Sequence, residues 1–191
     1  MKKGSYYIVN GITLWRVIMA PLVIFLAFRH AGGWFKWLLA VSFFTDAIDG
    51  LLARKYRVIS KAGSRLDSVG DDLTVLSAFV GMLIFKIDFV KQQLVILCIL
   101  AGLWLLQLVL SLIRYRRMSS FHTWLAKCAA VLQAVFLLLL FFLPEPPYWL
   151  FYAAACVTIL DLVEEIGMVL LLKDWKSDVK SIFPLLKGEN L

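Results

Sequence analysis

From residue 46 to residue 71 the sequence reads Asp46-Ala-Ile-Asp49-Gly50-Leu-Leu-Ala53-Arg54, followed after eight residues by Gly63, after three more by Asp67 and after three more by Asp71. Four carboxylates therefore fall at gaps of three and four within strongly apolar sequence. On a helix three residues turn about −60° and four about +40° from the starting direction, so each gap places two side chains on one face. The stretch predicts two helix ends, each presenting a carboxylate pair, joined by a basic loop.

The rest of the chain decides what surrounds them. Hydrophobic residues make up 62% and charged residues 17%, against about 45–50% and about 25% in soluble domains. Apolar runs recur throughout with short polar or Gly/Pro breaks, and about 20 apolar residues span a bilayer core. The fold expected is an all-α integral membrane domain of six transmembrane helices, with spans near residues 8–28, 34–54, 66–85, 94–113, 122–143 and 148–172. Residues 1–172 make up that domain and residues 173–191 a tail. Gly32-Gly33 is read as the turn before the second span. Pro144-Glu-Pro-Pro147 ends the fifth, because proline stops a helix and disfavours helix in the residue before it. Met1-Lys2-Lys3 has the charge of a signal peptide, yet no small-residue cleavage site follows, so the first apolar run is read as a retained helix. Cys98, Cys128 and Cys156 each stand alone in an apolar segment and are expected to be small core hydrophobes. No internal repeat is evident, so an inverted-repeat transporter gains no support.

The net charge of +7 resides at span ends and in short loops, which points to anionic lipid and phosphate and away from nucleic acid. Lys2, Lys3, Lys55, Arg57, Lys61, Arg65, Arg114, Arg116, Arg117 and the tail lysines define one side, and only Arg29, Lys36, Lys86 and Lys91 the other. The positive-inside rule makes the first side, with both termini and the carboxylate loop, cytoplasmic. The tail mixes lysines with Trp175, Val179, Ile182 and Phe183, a pattern of an interfacial amphipathic segment.

At about 1.5 Å per residue, Asp46 lies roughly 12 Å and Asp49 roughly 7 Å inside a helix ending near Arg54. Each carboxylate facing lipid costs about 2.5–3.5 kcal/mol, and four approach a domain's whole stability. They must face a polar interior, and without a counter-ion their mutual repulsion would force protonation. Oxygen-only ligands with no clustered His or Cys favour Mg²⁺ or Mn²⁺. Two such ions would suit displacement at phosphorus. Gly50, Ala53 and Gly63 leave room for a close approach, and Arg54 suits a phosphate. A divalent-cation transport site is the rival, although transport favours carboxylates near the midplane and these cluster at one edge.

The stretch resembles the signature of the CDP-alcohol phosphotransferase (CDP-alcohol phosphatidyltransferase) family, Asp-x2-Asp-Gly-x2-Ala-Arg-x8-Gly-x3-Asp-x3-Asp, at all eight fixed positions. Asn10, Thr13, Arg16 and Pro21 resemble the pattern that opens many members. The resemblance implies transfer of a phosphatidyl or related group from a CDP-linked donor, CDP-diacylglycerol in the first place, to an alcohol, releasing CMP in phospholipid synthesis. It further implies that Asp46, Asp49, Asp67 and Asp71 hold two Mg²⁺ or Mn²⁺ ions on the donor pyrophosphate, with Asp71 also taking the acceptor's proton. Gly50, Ala53, Arg54, Ser60 and Gly63 would line the cytidine diphosphate, closed by Asn10 and Thr13. A homodimer, a bacterial cytoplasmic (inner) membrane location and an active site on the cytoplasmic side are the corresponding expectations. Asp72 lies outside the signature, about 100° round the helix from Asp71.

For the acceptor, Arg114, Arg116, Arg117 and Lys127 form a basic set at one membrane face. That set suits a phosphorylated polyol such as glycerol 3-phosphate or an inositol phosphate; inositol or serine are the other acceptors considered. Phosphatidylglycerophosphate synthases usually carry Arg-Glu where this chain has Leu106-Gln107, which weighs against glycerol 3-phosphate. His122 is read as an interfacial residue. Asp161, Glu164 and Glu165 form a second acidic set, expected to pair with Lys127 or the basic loop or to line the acceptor cavity.

Overall fold

The computed structural model describes residues 3–56, 61–116 and 123–172. Among them the chain is helical, with no strand: α1 (Lys3–Phe28), α2 (Gly32–Tyr56), α3 (Lys61–Phe85), the short α4 (Ile87–Gln92), α5 (Leu94–Tyr115), α6 (Trp124–Phe142) and α7 (Tyr148–Leu171). The six long helices lie where the apolar runs predict them; α4 was not expected. The chain divides into two compact units, Met1–Lys91 and Gln92–Leu191.

In the first unit α1 packs against both α2 and α3. Ala20, Val23 and Ala27 of α1, Phe35 and Leu39 of α2 and Ala78 and Met82 of α3 are buried. Small residues let helices approach where lipid supplies no hydrophobic drive between them. Gly81 is the sharpest case, since a Cβ there would stand 2.1 Å from Phe35 Cζ. Phe35 in turn packs on Phe85, with ring centroids 5.2 Å apart.

The α1–α2 turn differs from the one expected. His30, at φ 53°, takes the left-handed position, with its N–H donating to Ala27 O and the Ala31 N–H to Leu26 O. Gly32 and Gly33 already belong to α2. Gly32 lies beside the Phe85 ring, where a Cβ would stand 3.5 Å from the nearest ring carbon, an ordinary contact distance.

In the second unit α7 packs against α5 and α6 and buries Leu150, Phe151, Ala154, Ala155, Leu162, Met168 and Val169. Thr123 caps α6 by accepting from the Ala126 N–H at 2.8 Å. Leu143, extended at ψ 145°, ends α6 one residue before Pro144, as the steric restriction before proline requires. At the far end of α7 the Tyr115 hydroxyl donates toward Val169 O and Leu172 O, at 3.0 and 2.8 Å, and Arg114 Nε donates to Leu172 O at 3.2 Å. The terminal carbonyls of α7, which have no partner within the helix, are thus taken up by α5.

Leu94–Tyr115 and Trp124–Phe142 are long and apolar enough to cross a membrane, yet only 11% and 17% of their most apolar stretches are buried. Highly apolar helices with apolar exteriors match a bilayer as solvent. Cys98 of α5, Cys128 of α6 and Cys156 of α7 are exposed, which corrects their expected core placement. Hydrophobicity marks the interior only where the exterior is water.

Candidate active site

Within the first unit, α1, α2 and α3 each deliver one charged side chain to a common point. Arg16 is fully buried, at 1% exposure, in an otherwise apolar part of α1. Its Nη1 donates to Asp46 Oδ1 of α2 and, at 2.8 Å, to Asp71 Oδ1 of α3. One nitrogen therefore serves two carboxylates 25 residues apart in sequence, so the oxygens can be separated by no more than the sum of two hydrogen-bond lengths. The Asp46 and Asp71 side chains are 40% and 46% exposed. The acids are reachable and the arginine lies beneath them.

The local sequence makes room for this arrangement. Gly70 is buried, and a Cβ there would meet Arg16 Nη2 at 3.3 Å and Cζ at 3.5 Å. The guanidinium rests on the α3 backbone one residue before Asp71. Thr74 returns its hydroxyl to Gly70 O at 2.8 Å, which satisfies that donor inside the helix. Thr13, one turn before Arg16, is buried as well. Asp72 is more exposed than its neighbour Asp71, which is half-buried, in keeping with its position a hundred degrees round the helix.

Of the predicted metal and donor residues, Asp46, Asp71 and Thr13 are those whose side chains are described. Asn10 lies in α1, Asp49, Gly50, Ala53 and Arg54 in α2, and Gly63 and Asp67 in α3, but their side-chain positions are outside the described residues. Ser60, Arg117, His122 and the tail lie wholly outside them. Among the described residues no set of three or more His, Cys, Asp or Glu side chains gathers as metal ligands. The described pair nevertheless fits a hard divalent cation. It offers carboxylate oxygens only, already converging on one positive group, and its exposure leaves an approach. Sequence reading noted Arg16 as part of a pattern and missed its placement. The signal was there, since a lone arginine in an apolar helix requires a buried anion.

A second polar layer lies in the other unit. Thr123 Oγ1 donates to Asp161 Oδ1 at 2.8 Å, Gln107 Nε2 donates to Glu165 Oε2 at 2.9 Å, and Gln133 Nε2 donates to Thr158 Oγ1 at 2.7 Å. Thr123 and Gln107 are thus partners of Asp161 and Glu165 where Lys127 was one expected; the basic loop, the other expected partner, has its side chains outside the described residues. That lysine is exposed and its Nζ stands 4.9 Å from the centre of the Trp124 ring, a cation–π distance. Gln107 is buried and Leu106 exposed, so at the Leu106-Gln107 position only the glutamine faces the protein interior. Arg114, an acceptor candidate, is an exposed residue whose Nε holds the end of α7.

An acidic centre with a buried arginine, carried on helices of apolar exterior, defines a membrane-associated helical protein with an anion-rich polar interior. A sequence profile described as CDP-alcohol phosphatidyltransferase matches residues 6–160, and the protein belongs to that family. It is similar to a CDP-diacylglycerol–inositol 3-phosphatidyltransferase of Saccharomyces cerevisiae, 44% identical over 66 residues, 35% of this chain and 30% of the relative. A CMP-forming cardiolipin synthase of Streptomyces coelicolor is 35% identical over 79 residues, 38% of this chain and 37% of the relative. A protein of Mycobacterium tuberculosis described as a probable phosphatidylglycerophosphate synthase is 35% identical over 80 residues, 38% of each chain. The matched segments span about a third of each relative. No solved structure matches.

Proposed function

We propose that the protein transfers a phosphatidyl group from CDP-diacylglycerol to an alcohol acceptor at the cytoplasmic face of a bacterial inner membrane, releasing CMP. Membership of the family supports the reaction class, and the convergence of Asp46 and Asp71 on one cationic point is the observation that carries the site. In this reading six helices cross the membrane with both termini cytoplasmic, and the active enzyme is a homodimer.

Asp46, Asp49, Asp67 and Asp71 would hold two Mg²⁺ or Mn²⁺ ions. When bound, these neutralise the pyrophosphate and stabilise the attacking and leaving oxygens. Asn10, Thr13, Gly50, Ala53, Arg54, Ser60 and Gly63 bind the cytidine-diphosphate portion. Asp71 accepts the acceptor's hydroxyl proton as that oxygen forms its bond to the phosphatidyl phosphorus, and the bond to the CMP oxygen breaks with its electron pair leaving on CMP. An exposed carboxylate is placed to receive a proton from an incoming hydroxyl.

The acceptor proposed is a phosphorylated polyol, held by Arg114, Arg117 and Lys127. The three relatives differ in the acceptors their names imply, so the family alone does not select one. The decisive experiment supplies labelled CDP-diacylglycerol and Mn²⁺ to the purified protein with glycerol 3-phosphate, inositol phosphate, inositol or serine in turn. CMP release that depends on an acceptor is expected. Asp71→Asn should lower it by about 10²–10⁴-fold, the usual worth of a general base, without loss of fold. Mn²⁺ flux into proteoliposomes with no CMP release under any acceptor would instead establish the transport alternative.

A further inference from the structure

We infer that Arg16 is a built-in counter-ion for the acidic centre, a positioning residue that holds Asp46 and Asp71 together before any metal arrives and is not itself a ligand of the substrate phosphates. The inference rests on the proposed function for the identity of the incoming cation, but its geometry is independent of it.

Three observations carry it. Arg16 is 1% exposed while both of its carboxylate partners are 40% or more exposed. A phosphate ligand must be reachable, and here the guanidinium is covered and the acids are not. Its Nη1 takes Oδ1 from each aspartate. Finally, the guanidinium lies against the α3 backbone at Gly70, where even a methyl group would come within 3.3 Å of Nη2. The charge is therefore built into the packing of α1 on α3 and does not sit on a mobile side chain.

The electrostatic consequence is specific. With Arg16 present, one buried cation faces the two neighbouring carboxylates Asp46 and Asp71 and offsets part of their mutual repulsion. With Arg16 neutralised the two carboxylates lose the cation they share. Two like charges held close together then oppose the folded state until a cation or a proton intervenes. A divalent ion should consequently stabilise such a variant far more than it stabilises the natural protein.

The test compares thermal unfolding of the full-length purified protein in EDTA and in saturating Mn²⁺, without nucleotide. Arg16→Gln is expected to lower the metal-free Tm by about 10 °C, the loss of one partner from a buried ion pair in a chain of this size. Mn²⁺ should restore more than half of that fall, a larger shift than the natural protein shows. Arg16→Lys should fall between the two, because a single nitrogen serves both acids and an ammonium can take part of that place. Should Arg16→Gln fail to fold in EDTA, the triple variant Arg16→Gln, Asp46→Asn, Asp71→Asn keeps the inference open to test, since removing the two carboxylates that face Arg16 should recover part of the metal-free stability. An unchanged metal-free Tm in Arg16→Gln, an Mn²⁺ shift equal to that of the natural protein, or no recovery in the triple variant would overturn it. Absence of CMP release from the natural protein would instead end the transferase reading and leave these stability differences standing.

Discussion

Thr123 Oγ1 donates to Asp161 Oδ1 at 2.8 Å and at the same time accepts from the Ala126 N–H at 2.8 Å. One hydroxyl thereby caps the first turn of α6 and ties it to the middle of α7. Both residues are buried, so neither group can turn to solvent when the other is lost. Thr123→Val should destabilise the protein by about 2–4 kcal/mol, the sum of a lost N-cap and a stranded buried acceptor. Thr123→Ser keeps the hydroxyl and should cost less than about 1 kcal/mol. Unfolding of the detergent-solubilised variants checks both. Equal losses in the two variants would show that the methyl group, and not the hydroxyl, matters at this position.

Gly81 of α3 packs beneath the Phe35 ring of α2 with no room for a side chain. Gly81→Ala places a methyl 2.1 Å from Phe35 Cζ and within 3 Å of two further ring atoms, so the ring or the helices must move. Overpacking of this kind costs about 1–3 kcal/mol. Phe35→Leu creates space for the added methyl, and the double variant should be more stable than the sum of the single losses implies. Additive losses in that double-mutant cycle would mean that the helices had already separated in Gly81→Ala.

The ease with which the helices were read from sequence has a physical cause. An apolar run bounded by Gly, Pro or charge has little choice but helix in lipid, because every backbone donor must be satisfied within the segment. The predicted ends at Phe28 and Phe85 and the starts at Leu94 and Tyr148 coincide with the observed ones. Facing was harder to read. Cys98, Cys128 and Cys156 look like core residues in sequence because the apolar exterior erases the contrast on which amphipathicity depends. The α1–α2 turn misled for another reason: Gly32 and Gly33 already belong to α2, while His30 takes the left-handed backbone position that glycine usually marks.

The acidic centre was legible as chemistry but not as geometry. Spacing of three and four placed Asp46 and Asp71 on helix faces. That α1 would bring a fully buried arginine between them depended on how α1 packs on α3, which no local spacing reveals. In the same way, Asp161 and Glu165 shared a predicted face. The structure gives them Thr123 and Gln107 as partners, two neutral donors that a search for opposite charges passes over.

Lys127 separates acceptor recognition from membrane anchoring. Its ammonium stands over the Trp124 ring near the start of α6, and both residues are exposed. An interfacial Trp–Lys pair anchors a helix end at headgroup level, whereas an acceptor ligand must bear the charge of a bound phosphate. If Lys127 binds a phosphorylated acceptor, Lys127→Ala should raise the KM for that acceptor by about tenfold or more, the worth of one charge-assisted hydrogen bond. The KM for CDP-diacylglycerol should stay unchanged. Lys127→Arg should restore part of the loss, because a guanidinium preserves the charge and hydrogen-bonds phosphate well. A variant that alters neither KM would make Lys127 an anchor alone. Arg114→Ala needs the same kinetics together with a stability measurement, because Arg114 Nε also holds Leu172 O at the end of α7. An acceptor KM that rises while the Tm stays fixed would assign Arg114 to the acceptor, and a fall in Tm with both KM values unchanged would assign it to the helix end.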